Sequence, residues 1–161
     1  LRSLVGSEMC IRDSIMTDTL LIACPHCHRK NRLPAARLSA QPQCGACKQS
    51  LFTGSPLSLN STQFSKHSSA DLPLVIDFWA AWCGPCQQFA PVFEQAAARI
   101  EPRARLIKID TEAATELAAR FAIRSIPTLL ILYQGKEIAR LNGAVPPQEF
   151  ERWLLSNLPA A

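Results

Sequence analysis

Nowhere in this chain does an apolar run approach the roughly 20 residues that a membrane-spanning helix requires. A secretory core is missing too. Leu20 to Ala23 is only four apolar residues, against the roughly 7–15 of a signal-peptide h-region, so no leader is expected and the protein reads as cytoplasmic. Charge is sparse at 19% of residues while apolar types reach 48%, which excludes a disordered polyelectrolyte and fits a globular chain. Position 1 is Leu rather than Met, and residues 1–15 show no hydrophobic period. They read as a non-native or disordered extension and are set aside with Cys10.

What the chain does have is cysteine in a particular arrangement. Six of its seven cysteines fall in three C-x-x-C pairs. In a reducing compartment that pattern points to metal binding plus catalysis rather than to a disulfide scaffold. At 161 residues there is room for one domain of about 100 residues and a small module. The boundaries read as 16–55 for the module and 56–161 for the larger domain, with Thr53-Gly54-Ser55-Pro56 as linker.

Cys24-Pro25-His26-Cys27 is followed, sixteen residues on, by Cys44-Gly45-Ala46-Cys47. Paired C-x-x-C turns at this spacing are a strong signal for a structural four-cysteine zinc site, with Cys24, Cys27, Cys44 and Cys47 as ligands. So short a segment buries too little apolar surface to fold unaided, so metal binding would supply much of its folding free energy. His26 and His28 are expected to face solvent beside it. Cys24-Pro25-His26-Cys27 could instead be an oxidising redox pair, but no amphipathic helix follows it. His28-Arg29-Lys30-Asn31-Arg32-Leu33-Pro34 is polar and ends in a breaker. The chain's whole excess charge of +4 lies in this module, where Arg29, Lys30, Arg32, Arg37 and Lys48 face only Asp18. Compensation of the negative zinc–thiolate centre explains that cluster. Nucleic-acid binding is not expected, because aromatic residues do not interleave the basic ones.

The third pair sits in Asp77-Phe78-Trp79-Ala80-Ala81-Trp82-Cys83-Gly84-Pro85-Cys86. An apolar strand, Leu74–Trp79, leads into it. Phe89, Val92/Phe93, Ala96/Ala97 and Ile100 then mark one apolar face of a helix spanning Cys83–Ile100, with Pro91 inside it. Cys83 falls where unpaired backbone N–H groups and the helix dipole favour a thiolate, and Pro85 is tolerated in the first turn. Cys86 lies one turn on, on the same face, able to attack a mixed disulfide formed at Cys83. The expected geometry is an outward Cys83 with Cys86 sheltered behind it. Elsewhere the pattern predicts strands at Leu57–Leu59, Ala104–Ile109, Thr128–Tyr133 and Glu137–Leu141. It predicts helices at Thr62–Ser68, at Glu112–Phe121 capped by Asp110 or Thr111, and from Pro146-Pro147 onward, burying Phe150, Trp153, Leu154 and Leu158.

Through Trp82-Cys83-Gly84-Pro85-Cys86 and Arg124-Ser125-Ile126-Pro127-Thr128 the chain resembles the thioredoxin family from about Pro56 onward, and the cysteine-rich module is similar to that of its zinc-binding bacterial members. The resemblance implies an α/β thioredoxin fold, a mixed central sheet with helices on both faces, preceded by a zinc ribbon. It implies protein-disulfide reduction, with Asp77 as the acid that takes and returns the proton of Cys86, Lys108 beside it and Pro127 as a cis proline facing the dithiol. Trp82, Gly84, Pro85, Ile126, Gly143 and Ala144 would form the apolar surface on which clients dock. Implied cofactors are one structural zinc and the Cys83–Cys86 disulfide, with no bound organic cofactor. Implied partners are disulfide-containing clients and an NADPH-dependent thioredoxin reductase, and the protein would be a monomer. Ala81, Gln87, Ala122 and Asn142 depart from the family's usual residues. Ala122 replaces a frequent glycine and would be strained if its backbone is left-handed. Two rival functions use the same residues: a zinc-ribbon binding module scaffolded by the larger domain, and a redox sensor whose zinc thiolates respond to oxidation.

Overall fold

The computed structural model describes residues 18–160, so the expectation for residues 1–15 and Cys10 lies outside the described residues. The cysteine-rich module is built on an antiparallel hairpin, β1 (Thr19–Ala23) and β2 (Lys30–Pro34), with Ile22 opposite Asn31. Its small core gathers Ile22, Cys24, Leu33, Cys44 and Leu51, and it borrows Leu72 from the segment beyond.

The larger part runs β3 (Leu57–Ser58), α1 (Ser61–Ser68), β4 (Leu74–Trp79), α2 (Gly84–Ile100), β5 (Arg105–Asp110), α3 (Thr115–Arg120), β6 (Thr128–Tyr133), β7 (Lys136–Asn142) and α4 (Pro147–Asn157). The five strands lie in the order β3-β5-β4-β6-β7. β4 is parallel to β5 and antiparallel to β6, so the sheet is mixed. Its central strands are buried on both faces, and that explains why they read as unbroken apolar runs. Alternation sorts the two sides. Val75, Leu106, Leu129 and Ile131 pack with Phe89 and Phe93 of α2 and Phe150 and Leu154 of α4. Ile76, Phe78, Ile107, Ile109, Leu130 and Leu132 pack with Phe64 of α1, Leu117 of α3 and Phe121 just after it. This is the thioredoxin fold.

Local chemistry explains most boundaries. Asn60 and Gln63 close α1 with a reciprocal capping box. Pro147 opens α4, where a missing N–H costs nothing. Helix α3 starts at Thr115, later than expected. Asp110 is spent on a local turn, its Oδ1 accepting from the Glu112 N–H at 2.9 Å, and Ala114 at the N-cap offers no side-chain bond. Trp153 packs against the core but stays half-buried rather than buried. Ala122, after α3, has φ of 53°, so this alanine does hold the left-handed backbone that glycine would adopt more easily.

The contact between the two parts was not expected. Arg105, at the start of β5, is 1% exposed. Its guanidinium donates to the carbonyls of Ala23 and Leu51, each at 2.8 Å, and lies 4.8 Å from the centre of the Phe52 ring. Glu101 pairs with it at 3.4 Å while accepting from the Gly54 N–H at 2.8 Å. Asp71 and Leu21 exchange two further bonds: the Leu21 N–H donates to Asp71 Oδ2 at 2.7 Å, and the Asp71 N–H donates to the Leu21 carbonyl at 2.8 Å. Thr53–Pro56 is therefore a pinned segment, not a free linker. A lone arginine within Ala104-Arg105-Leu106-Ile107 was the available signal for this buried role.

Candidate functional site

β4 aims its odd and even residues at opposite faces. Val75 packs with α2 and Trp79 joins the cysteine cluster, so Asp77, between them, faces α2 as well. Asp77 is 1% exposed, and its Oδ1 has no hydrogen-bond partner. Burial lifts its pKa to about 7, and the opposing charge of Lys108 moderates that rise. Lys108 is the register partner of Asp77 on β5, yet the two form no ion pair within 4.0 Å; the ammonium lies over the Trp79 ring, 4.8 Å from its centre.

Cys83 is the N-cap of α2 and is joined to Cys86 as a disulfide, with Cα atoms 5.3 Å apart. The Cys86 N–H points at Cys83 Sγ at 3.2 Å, the bond a thiolate in that place would accept. The two cysteines are 4% and 3% exposed, so exposure does not separate an outward sulfur from a sheltered one in this disulfide form. Position separates them: Cys83 caps the helix, with its Sγ 3.8 Å from the Ile126 carbonyl, whereas Cys86 stands one turn inside. Trp79, Ala80 and Ile126 complete the cluster.

Around this pair the rim is small and apolar. Trp82 is 69% exposed, its indole N–H held by Glu112, and Gly84, Pro85 and Ala144 are exposed. The Ile126–Pro127 bond is cis. Gly143 sits beside that proline, donating its N–H to the Pro127 carbonyl at 2.8 Å. Its φ of 98° is one that L side chains rarely adopt. A shallow groove of about 200 Å³ runs from Trp82 past Thr111 and Ile123 to Arg124, Ser125 and Ile126. The structure thus brings the expected residues of the dithiol site into one region. Sequence reading missed Glu112 as the partner of Trp82 and gave no reason to single out Arg124.

At the other end of β4, the Sγ atoms of Cys24, Cys27, Cys44 and Cys47 lie within 4.8 Å of one another. Cys24 to Cys47 and Cys27 to Cys44 are each 3.6 Å. Four thiolates at about 2.3 Å from a tetrahedral zinc would be about 3.8 Å apart, so the donor set fits that ion. Backbone N–H groups of His26 and Cys27 point at Cys24 Sγ, and those of Ala46 and Cys47 at Cys44 Sγ, between 3.3 and 3.5 Å. These bonds, the Cys47 N–H foremost, hold the Cys44 thiol down at about 6, while burial pushes Cys24 up. His26 is exposed, as expected. His28 is not a solvent-facing neighbour, because its Nδ1 meets Nε2 of His67 in α1 at 3.1 Å.

Residues 55–156 match the family model for thioredoxin, and residues 23–49 match that for the N-terminal segment of thioredoxin 2. Thioredoxin C-3 of Corynebacterium nephridii is 45% identical over 136 residues, covering 84% of this chain and 93% of that protein. Thioredoxin of Haemophilus influenzae is 34% identical over 99 residues, covering 61% and 92%. A mutant thioredoxin from Halobacterium salinarum superposes with a TM-score of 0.61 at 27% identity, covering 68% and 96%. With the fold, the cis proline and a helix-capping disulfide already in place, these likenesses settle the classification: the chain belongs to the thioredoxin family of thiol-disulfide oxidoreductases and carries that family's zinc-ribbon module at its N-terminal side.

Proposed function

We propose that the protein reduces disulfides in client proteins through Cys83 and Cys86 and is re-reduced by an NADPH-dependent thioredoxin reductase. The observation that carries this reading is the disulfide at the N-cap of α2, ringed by a cis proline and small apolar residues. In the reduced protein the Cys83 thiolate, favoured by the Cys86 N–H, attacks one sulfur of a client disulfide. That S–S bond breaks, a Cys83–client disulfide forms, and the departing client sulfur takes up a proton. Asp77, poised near neutrality by burial, accepts the proton of Cys86. Cys86 then attacks Cys83, closing the Cys83–Cys86 disulfide and releasing the second client thiol. Two electrons have passed from the dithiol to the client. Lys108 acts by charge on Asp77, and Pro127 with Ile126 offers backbone to the bound chain.

Cys24, Cys27, Cys44 and Cys47 would hold one zinc ion, which when bound supplies a tetrahedral cross-link between the two knuckles. We read it as structural, with the protein monomeric and cytoplasmic. Insulin-disulfide reduction tests the catalytic assignment. Cys83→Ser should abolish turnover, and Cys86→Ser should abolish it while accumulating covalent client adducts. Full activity in either variant refutes the scheme.

A further inference from the structure

A cleft of about 470 Å³ opens where the ribbon meets α1. Its walls are His28, Arg29 and Lys30 on one side and Ser65, Lys66 and Ser69 on the other. No carboxylate lines it, and Arg29, Lys30 and Lys66 form no ion pair within 4.0 Å among the described residues. Compensation of the metal centre does not account for this grouping. Lys48 is engaged by the Gly45 carbonyl of its own knuckle at 2.9 Å, whereas Lys66 comes from the other module and still faces the ribbon's cations.

We propose that this junction cleft is a binding site for a compact phosphate-bearing anion of pyrophosphate to nucleotide size. Three permanent cations around one small volume match an anion with several charges close together, where a single carboxylate would answer only one of them. Recognition is by charge, because the Ser65 and Ser69 hydroxyls already donate to helix carbonyls at 2.8 Å. His28, with Nδ1 engaged by His67, keeps Nε2 as its remaining ring nitrogen and presents an N–H there when His67 supplies the shared proton. A nucleic-acid strand fits less well: among the described residues the cleft offers no Phe, Tyr or Trp on which a base could stack. The site also stands apart from disulfide exchange. The ribbon packs against Asp71 and Leu72, before β4, and the dithiol follows the far end of that six-residue strand, about 17 Å away.

Calorimetric titration of the zinc-loaded full chain with pyrophosphate, and separately with ADP, tests the site. We expect saturable binding at one site per chain that weakens with added salt. Lys30→Glu/Lys66→Glu should weaken it about tenfold or more, with insulin reduction unchanged. Circular dichroism and zinc content establish that the variant is folded; if it is not, Lys66→Glu alone is used, with a loss of several-fold expected. The proposal is overturned by absence of saturable binding at low salt, or by equal affinity in the folded charge-reversed protein. It is equally overturned if a short oligothymidylate or a polyglutamate peptide binds about tenfold tighter than either phosphate probe.

Discussion

Asp77→Asn offers the sharpest check on the energetics of the site. The side chain is 1% exposed and burial raises its pKa from 3.8 to about 7. Below pH about 4 both folded and unfolded chains hold the proton, and the group has no effect on stability. Between about 4 and 7 the unfolded chain releases the proton while the folded chain keeps it, so stability falls by about 1.36 kcal/mol per pH unit. Above about 7 both are ionised and the cost levels off near 4 kcal/mol. Asparagine never ionises and therefore lacks this slope. In urea unfolding of the oxidised, zinc-loaded proteins, the variant's advantage over the parent should grow by about 2 kcal/mol from pH 5.5 to 8.5 and then stay flat. The change with pH is the diagnostic quantity, because an asparagine amide brings its own unsatisfied groups and shifts the whole curve. The same variant should turn over insulin more slowly at neutral pH, Cys86 having lost its proton acceptor. A difference between the two proteins that does not vary with pH would refute the argument that Asp77 is buried, unpartnered and titrating near neutrality.

Three further outcomes follow from particular contacts. Arg105→Met should destabilise the protein by about 3–5 kcal/mol, because it strands the Glu101 carboxylate and the carbonyls of Ala23 and Leu51; Glu101→Gln added to it should recover part of that loss in denaturant melts. Ala122→Gly should raise stability by about 1 kcal/mol, since φ at that position is 53°, and an unchanged urea midpoint would show that the strain is relieved elsewhere. Metal analysis should find one zinc per chain. Chelation should then expose four additional thiols to a thiol reagent and lower the unfolding midpoint of the whole molecule, because the ribbon core shares Leu72 with the larger domain.

The sequence alone determined the parts whose cause is local. Strand β4 and helix α2 follow from an apolar run and a 3.6-residue stripe, and the hairpin of β6 and β7 from two strand-length runs with Gln134-Gly135 between them. Each knuckle folds its pair of thiols into one tight turn, and C-x-x-C spacing announces that turn directly. Tertiary structure decided everything that depends on who arrives from far along the chain. Asp110 was free to cap α3 in principle, but it closed a turn instead. His28 looked solvent-facing until α1 brought His67 against it. Arg105 looked like an ordinary strand residue until two carbonyls from the ribbon and a carboxylate from α2's end closed around it. Desolvation and pairing are properties of assembled surroundings: the apolar neighbours of Asp77 in its own strand already foretold a desolvated carboxylate, whereas the cations that gather beside α1 became readable only once the ribbon was docked against that helix.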